Sequence, residues 1–278
     1  MPVVVTFAYL MSLGMVPQGV KPLICFALAL VGAVILHSAG NVMSDYFDYK
    51  TGVDNPDAFA VPNLVFHRFE PREYLIFSII LFIVGCGIGV ALTLMTSWKL
   101  LVIGGVGVAL TAGYSFLKYH ALGDLDIFII FSVLIMSGTG YVVTGQILPR
   151  VLVLALPVGI ITVSVLHANN TFDIVSDGKA GMKSFAMLLG GKVSARLYMA
   201  YMCVPFVCVA AAVAAGWLTP FALISLLAAV PAWKNLKAAS HFDQKGIDTM
   251  AGLDQASAKL QLVFSGLLSA GLFIDAIF

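Results

Sequence analysis

Long apolar segments separated by polar connections dominate this chain. Nine of them run over roughly 2–16, 22–44, 74–95, 99–117, 125–145, 151–172, 196–216, 218–234 and 260–278. Most are close to the ~20 residues that a helix needs to cross the hydrocarbon core of a bilayer. No basic residue precedes the first segment, so we interpret it as a short span rather than a cleaved signal peptide. The pattern predicts an all-α bundle of about nine transmembrane helices, forming one domain over 1–278.

Composition supports this prediction. The 278 residues are 60% hydrophobic and only 10% charged, whereas soluble domains carry about 25% charged residues. So few charges cannot solvate a surface, and lipid must be the solvent for most of it. The formal net charge of +1 provides no overall field that would indicate a nucleic-acid partner.

The polar connections alternate between long loops and tight turns. The long loops cover 45–73, 118–124, 173–195 and 235–259, and together with the helix ends beside them they hold twelve of the fifteen Lys and Arg residues. By the positive-inside rule the long loops lie in the cytoplasm, with the N-terminus inside and the C-terminus outside. We therefore expect a multi-pass protein of the inner (plasma) membrane whose ionisable chemistry gathers on the cytoplasmic side.

Two helix ends on that side carry oxygen-bearing side chains at helical spacing. The first motif is Asn41, Asp45 and Asp48, and the second is Asn169, Asp173 and Asp177. Each set falls on one face of a helix, where neighbouring carboxylates repel each other unless a cation neutralises them. Oxygen ligands without His or Cys favour magnesium, which leaves positions open for phosphate oxygens. For one motif alone, a helix end emerging into water is the alternative interpretation.

Basic and aromatic residues near these motifs extend the prediction to a diphosphate. The candidates for a diphosphate cradle are Lys118, Lys179, Lys183, Arg68 and Arg72. For each lysine taken alone, contact with a lipid headgroup is the alternative. Departing diphosphate would leave an allylic carbocation, which an aromatic face stabilises, and Tyr114 is the best candidate because it lies four residues before Lys118. The predicted catalytic set is Asp45, Asp173, Lys118 and Tyr114.

A second substrate would need binding residues of its own near these motifs. His120 and Asp124 are candidates for binding an acceptor, and Asp124 or Asp126 could instead remove a proton or cap the fifth span. His167 is interpreted as a core histidine whose nitrogens are satisfied inside the protein.

These residues resemble the motifs of the UbiA superfamily of intramembrane prenyltransferases. The resemblance rests on NVMSDYFDYKTGVD, YSFLKYHALGDLD, GTGYVVTGQ and LHANNTFDIVSDGKAGMKSFAMLLG, and within it the two aspartate motifs look most like those of 1,4-dihydroxy-2-naphthoate polyprenyltransferases of menaquinone biosynthesis. It implies a helical bundle around a central cavity open to lipid, and two magnesium ions held by the two motifs. It also implies prenyl transfer from a polyprenyl diphosphate to an aromatic acceptor.

The same sequence features are also compatible with other functions. Within the superfamily the acceptor could be 4-hydroxybenzoate, 1,4-dihydroxy-6-naphthoate or an archaeal glycerol-phosphate lipid precursor. A secondary transporter also carries intramembrane carboxylates and internal repeats, but it predicts charged residues near the bilayer midplane. A lipid-binding scaffold without catalysis predicts that Asp45 and Asp173 are dispensable.

Overall fold

The computed structural model describes residues 1–54 and 63–278, so part of the first predicted long loop, 55–62, lies outside the described residues. Seven of its helices are long and apolar enough to cross a membrane. They are α2 (Val20–Thr51), α3 (Pro71–Met95), α4 (Lys99–Tyr119), α5 (Gly123–Thr144, with a π-helical turn over Ile129–Leu134), α6 (Pro149–Phe172), α9 (Gly191–Ala214) and α12 (Leu253–Ile277). The prediction of an all-helical membrane bundle is confirmed.

Shorter elements complete the chain. They are α1 (Pro2–Ser12), α7 (Ile174–Lys179), α8 (Phe185–Leu189), a 3-10 helix over Pro220–Ala228, α10 (Ala229–Ala239), α11 (Phe242–Lys245) and a 3-10 turn over Gly246–Met250. The first and eighth predicted spans therefore differ from the other seven. The first is an 11-residue helix, and the eighth is divided between a 3-10 helix and an α-helix.

The end of α2 differs from the sequence-based expectation in a way that matters for the site. We expected the second span to end near residue 44, but α2 continues to Thr51. It stops at Gly52, whose φ of 77° is left-handed and therefore suits glycine better than other residues. The first aspartate motif consequently lies wholly on a regular helix, which preserves the common face that its spacing predicts.

The packed core and the loosely packed helices occupy different parts of the bundle. Tyr9, Tyr198 and Phe264 are among the largest fully buried side chains, and they belong to α1, α9 and α12. α6 is the most buried of the long helices, whereas α4 is the least. Helices α2, α3 and α4 therefore form a thinner wall on one side of the molecule, which leaves room for a cavity between them and α5.

Close helix contacts rely on glycine at particular positions. A Cβ added at Gly85 of α3 would lie 2.6 Å from Cδ2 of Leu36 on α2. A Cβ added at Gly159 of α6 would collide with Oγ of Ser132 and with the ring of Phe128 on α5. Small residues let membrane helices approach this closely, so larger side chains here would separate the helices that frame the site.

Candidate active site

A buried ion pair joins α2 to α4 at the centre of the candidate site. Nζ of Lys118, in the last turn of α4, lies 3.0 Å from Oδ2 of Asp48, and the two side chains are only 13% and 10% exposed. Tyr119 donates its hydroxyl to Oδ1 of the same carboxylate at 2.7 Å, and Ser44 donates to Oδ2 at 3.4 Å. Asp48 thus fixes a lysine ammonium beside the first aspartate motif.

The other members of the first motif are less engaged by protein groups. Asp45 is exposed and makes no hydrogen bond or ion pair with another described residue. Asn41 donates from its amide nitrogen to Nε2 of His37 at 3.3 Å, one helical turn earlier. The carboxylate of Asp45 and the amide oxygen of Asn41 are therefore available to a ligand.

The second motif lies where α6 gives way to α7. The backbone N–H of Asp173 donates to the carbonyl of Asn169 at 2.9 Å, and the Asn169 side chain also hydrogen-bonds the Asp173 carboxylate. Burial, with a contribution from the charge of Asp173 and against the opposing charge of Lys118, raises the pKa of Asp177 to about 7. Burial likewise raises the pKa of Asp173, again opposed by Lys118. Both motifs are thus within electrostatic reach of one lysine.

Asp54 joins the same group of charges, although we did not predict it. The left-handed turn at Gly52 folds the chain back onto the last turn of α2. The backbone N–H of Asp54 there donates to the carbonyl of Asp48 at 3.1 Å. Burial raises the pKa of Asp54 to about 6, and Asp48 and Asp173 contribute in the same direction. A glycine that ends a helix just before an acidic residue was the sequence signal that could have identified it.

The resulting donor set fits a magnesium-bound diphosphate. The five carboxylates that interact electrostatically with Lys118 or its partner are Asp45, Asp48, Asp54, Asp173 and Asp177. Among the described residues, no group of three His, Cys, Asp or Glu side chains is arranged to hold a metal ion alone. Magnesium commonly uses one or two carboxylates and completes its shell with water and substrate phosphate oxygens, so this arrangement suits it.

An apolar cavity of about 550 Å³ begins beside these charged groups. Its walls come from α2, α3, α4 and α5, and its lining includes Asn41 and Tyr114 near the carboxylates. It continues past Gly104 to Leu100, at the opposite end of α4. The size is typical of ligand-binding cavities, which span roughly 300–1,000 Å³. A polar headgroup among the aspartates and an apolar tail in the cavity would therefore fit one amphipathic ligand.

His37 is a second residue that sequence reasoning missed. It lines the cavity next to Asn41, and its ring meets that of Phe131 edge-on with centroids 5.1 Å apart. Its spacing of four residues before Asn41 places both on one face of α2. That spacing is the signal that would have included it in the first motif.

The remaining predicted cations are not brought onto the aspartates. Lys179, Lys183, Arg68 and Arg72 are exposed, and none makes an ion pair with another described residue. Lys183 does lie beside the end of α4, because its backbone forms an isolated parallel bridge with His120. Their role in binding a diphosphate stays a prediction.

The two predicted acceptor-binding residues have different surroundings. His120 is exposed, and its Nδ1 lies 2.7 Å from the carbonyl oxygen of Phe116. Asp124 is 7% exposed, with Oδ2 at 2.6 Å from Nδ1 of His167 and Oδ1 accepting from Asn170. His167 is fully buried and bonded at both nitrogens, as expected for a core histidine. Asp126 is also buried, with no hydrogen-bond partner among the described residues.

The sequence of this chain is similar to that of a known protein family and of several curated proteins. The model of the UbiA prenyltransferase family matches residues 4–251. UbiA prenyltransferase domain-containing protein 1 of Xenopus tropicalis is 32% identical over 195 residues, which cover 68% of this chain and 56% of that protein. The human protein of the same name is 32% identical over 63% of this chain and 54% of its own length. The chain therefore spans little more than half the length of these curated relatives.

Solved structures show the same fold along nearly the whole chain. A UbiA homologue from Aeropyrum pernix K1 superposes with a TM-score of 0.71 at 19% identity, covering 99% of this chain and 97% of the other. One from Archaeoglobus fulgidus, bound to DMAPP and Mg²⁺, superposes with a TM-score of 0.56 at 14% identity, covering 96% and 95%. The expected superfamily is confirmed, whereas the naphthoate branch stays a prediction. With a family match over most of its length and this fold, the chain belongs to the UbiA prenyltransferase family.

Proposed function

We propose that this protein transfers a polyprenyl group from a polyprenyl diphosphate to an aromatic quinone precursor in a magnesium-dependent reaction. The observation that carries the proposal is the meeting of both aspartate motifs around Lys118 at the mouth of an apolar cavity. Charge and apolar space lie side by side, which suits a substrate with a diphosphate head and a hydrocarbon tail.

The carboxylates and the lysine have distinct roles in this proposal. Magnesium ions, two by analogy with the superfamily, would be held by Asn41, Asp45, Asp48, Asn169, Asp173 and Asp177 and would neutralise the departing diphosphate. Lys118 adds a fixed positive charge, held in place by Asp48. Because Lys118 and the carboxylates would be in place before the reaction, little reorganisation would be needed as negative charge develops on the diphosphate.

The cavity protects the cation that remains on the prenyl group. Tyr114 lines the cavity one helical turn before Lys118, so its ring can face the allylic carbon next to the diphosphate. The apolar walls exclude water, which would otherwise capture the cation and yield an alcohol. Attack by an electron-rich ring then forms the new carbon–carbon bond, and the ring regains its aromaticity by losing a proton or, for 1,4-dihydroxy-2-naphthoate, its carboxyl group as CO2.

The acceptor that we favour is 1,4-dihydroxy-2-naphthoate, in menaquinone biosynthesis. This choice rests on the resemblance of NVMSDYFDYKTGVD and LHANNTFDIVSDGKAGMKS to that branch. A solved structure of the same fold is a digeranylgeranylglyceryl phosphate synthase, with a TM-score of 0.63 at 18% identity, covering 99% of this chain and 92% of that one. A glycerol-phosphate lipid acceptor is therefore the alternative to be tested beside it.

The proposed setting is the inner (plasma) membrane, with the site on the cytoplasmic side. The excess of Lys and Arg on the long-loop side supports this orientation. Cysteine-scanning with a membrane-impermeant reagent, comparing His120→Cys with Trp98→Cys at opposite ends of α4, would test it. Labelling of the Trp98 variant alone from the cytoplasmic side would contradict the orientation.

The test of function is the mass of the product. Purified protein is incubated with magnesium, a prenyl diphosphate and, separately, 1,4-dihydroxy-2-naphthoate, 4-hydroxybenzoate, 1,4-dihydroxy-6-naphthoate or a glycerol-phosphate lipid precursor. We expect a prenylated naphthoquinol that is lost in EDTA and restored by magnesium. Product from another acceptor only would contradict the naphthoate assignment, and an EDTA-insensitive rate would contradict the metal site. Substrate flux across proteoliposomes without any product would instead indicate a transporter.

A further inference from the structure

A chain of buried polar side chains joins the start of α5, the end of α6 and the start of α9. Nδ1 of His167 lies 2.6 Å from Oδ2 of Asp124, and Asn170 donates to Oδ1 of that carboxylate at 3.4 Å. On the other side of the ring, Nε2 lies 3.0 Å from Oγ of Ser194, which lies 2.6 Å from Oγ1 of Thr171. His167, Ser194 and Thr171 are fully buried, so water does not compete for these bonds.

The direction of each bond follows from the number of hydrogens available. Thr171 donates its only hydroxyl hydrogen to the carbonyl of His167 at 2.6 Å, so Ser194 donates its own to Thr171. The hydroxyl and the carbonyl of Ser194 can then only accept from Nε2 of His167. Nε2 carries a hydrogen, and the contact between Nδ1 and Asp124 requires another. His167 is thus hydrogen-bonded through both ring nitrogens, to Asp124 at 2.6 Å and to Ser194 at 3.0 Å, which fixes the orientation of its ring between α5 and α9.

This link connects the two halves of the proposed site. Asp124 follows Lys118 by six residues, and a Cβ added at Gly123 would lie only 3.4 Å from Cα of Lys118. Between them Ala121 has a φ of 62°, a left-handed conformation that is unfavourable for alanine and persists only where the surroundings hold it. On α6, His167 lies in the two turns before Asp173.

We propose that the Asp124–His167 pair is a positioning device that sets the distance between Lys118 and the second aspartate motif. The inference rests on the proposed function, because that distance matters only if both groups bind one diphosphate. Neither partner contacts substrate: His167 has no exposed surface, and both oxygens of Asp124 are engaged by α6. The pair acts through Lys118 and Asp173, much as outer hydrogen-bond partners orient the ligands of a metal.

Substitution of Asp124 separates positioning from contact with the acceptor. In Asp124→Leu we expect the KM for prenyl diphosphate and the half-saturating magnesium concentration to rise about 10- to 100-fold, with the acceptor KM unchanged. Asp124→Asn should recover most of this loss, because its amide can donate to Nδ1 of a neutral imidazole and still accept from Asn170. The control is Ser164→Ala, which removes a buried α6 hydroxyl whose single hydrogen-bond partner among the described residues is the carbonyl of Ile161 on the same helix. Its kinetic constants should match those of the parent chain.

Two kinetic outcomes would overturn the proposal. One is a rise in the acceptor KM alone. The other is a loss of turnover in Asp124→Asn as complete as in Asp124→Leu. Either result would assign the Asp124 carboxylate a direct chemical role.

A distance measurement distinguishes failure of this link from failure of the proposed function. In a chain whose four cysteines are replaced by alanine, spin labels at Phe116 on α4 and Val175 on α7, both exposed, report the relevant separation. We expect a narrow distance distribution in the parent chain and in Asp124→Asn, and a broad one in Asp124→Leu. Equal widths in all three would overturn the proposal. Because the measurement needs no turnover, the effect would persist in a protein that lacked prenyltransferase activity.

Discussion

Lys118 and Asp48 form a buried ion pair, with Nζ and Oδ2 3.0 Å apart, that connects α4 to α2 through two residues seventy positions apart in the chain. The pair places a lysine at the first aspartate motif before any substrate is bound. Since Tyr119 and Ser44 also donate to Asp48, this carboxylate differs from Asp45, which makes no hydrogen bond or ion pair with another described residue. Within one motif, therefore, one aspartate holds the lysine and the other is open to a ligand.

The ion pair leads to a prediction about stability and activity. Lys118→Met leaves the Asp48 carboxylate buried and unpaired, which we expect to lower the free energy of unfolding by about 3 kcal/mol or more, measured by SDS titration in mixed micelles. Adding Asp48→Asn removes the unpaired charge and should restore most of that stability without restoring turnover. Parent-like stability in Lys118→Met would show that the pair does not form.

The open carboxylates should be essential for catalysis. Asp45→Asn and Asp173→Asn each remove a charge that the proposed metal site requires, and we expect kcat to fall by at least ~100-fold while the protein elutes as a folded species. The matched control is Asp243→Asn, which removes an exposed carboxylate that is paired with Lys192 and does not line the cavity. Turnover within a few-fold of the parent in Asp173→Asn would exclude its role.

Magnesium binding should depend on pH in a defined direction. In the metal-free protein burial raises the pKa of Asp177 to about 7 and that of Asp54 to about 6, so Asp177 holds a proton below about pH 7 and Asp54 holds one below about pH 6. A metal binds the ionised form, and binding must therefore release protons. We expect the magnesium affinity to rise as pH increases through about 6 to 7 and then to level.

Calorimetry in two buffers of different ionisation enthalpy measures that proton release directly. Asp177→Asn should remove the part of the dependence nearest pH 7, because burial raises the pKa of Asp177 further than that of Asp54. An affinity that does not change over this pH range would mean that neither carboxylate takes part in binding.

The cavity should select the length of the prenyl chain. Gly104 lines it, and a Cβ added there meets no atom within 4 Å, so Gly104→Leu fills empty space without disturbing the helix contacts. We expect kcat/KM for a long-chain prenyl diphosphate to fall about 10-fold or more, with dimethylallyl diphosphate little affected. Gly87→Leu is the control, because Gly87 also has open space around it but does not line the cavity. Equal loss for long and short donors would contradict this role for the cavity.

Helical periodicity made much of the candidate site predictable. Asn41 and Asp45 could be paired from the sequence because residues four apart share a helix face, and the same holds for Asn169 and Asp173. Asp54 was not predicted because it follows the end of α2, where helical periodicity no longer applies. The left-handed conformation of Gly52 sets the path of the chain there instead. The predicted end of the second span, near residue 44, was wrong because the polar residues that follow it were interpreted as a loop. They continue α2 to Thr51 and lie at the site instead.

The sequence by itself determined that the chain is a membrane bundle and that its two aspartate motifs lie at the same end of it. Burial in lipid demands long apolar helices and leaves few positions for charge, and both constraints are local and can be read from composition and spacing. Only the tertiary structure decided that Lys118 binds Asp48, that Asp124 binds His167, and that a cavity opens between α2 and α5. Those relationships join residues far apart in the chain, and they depend on how closely individual helices pack.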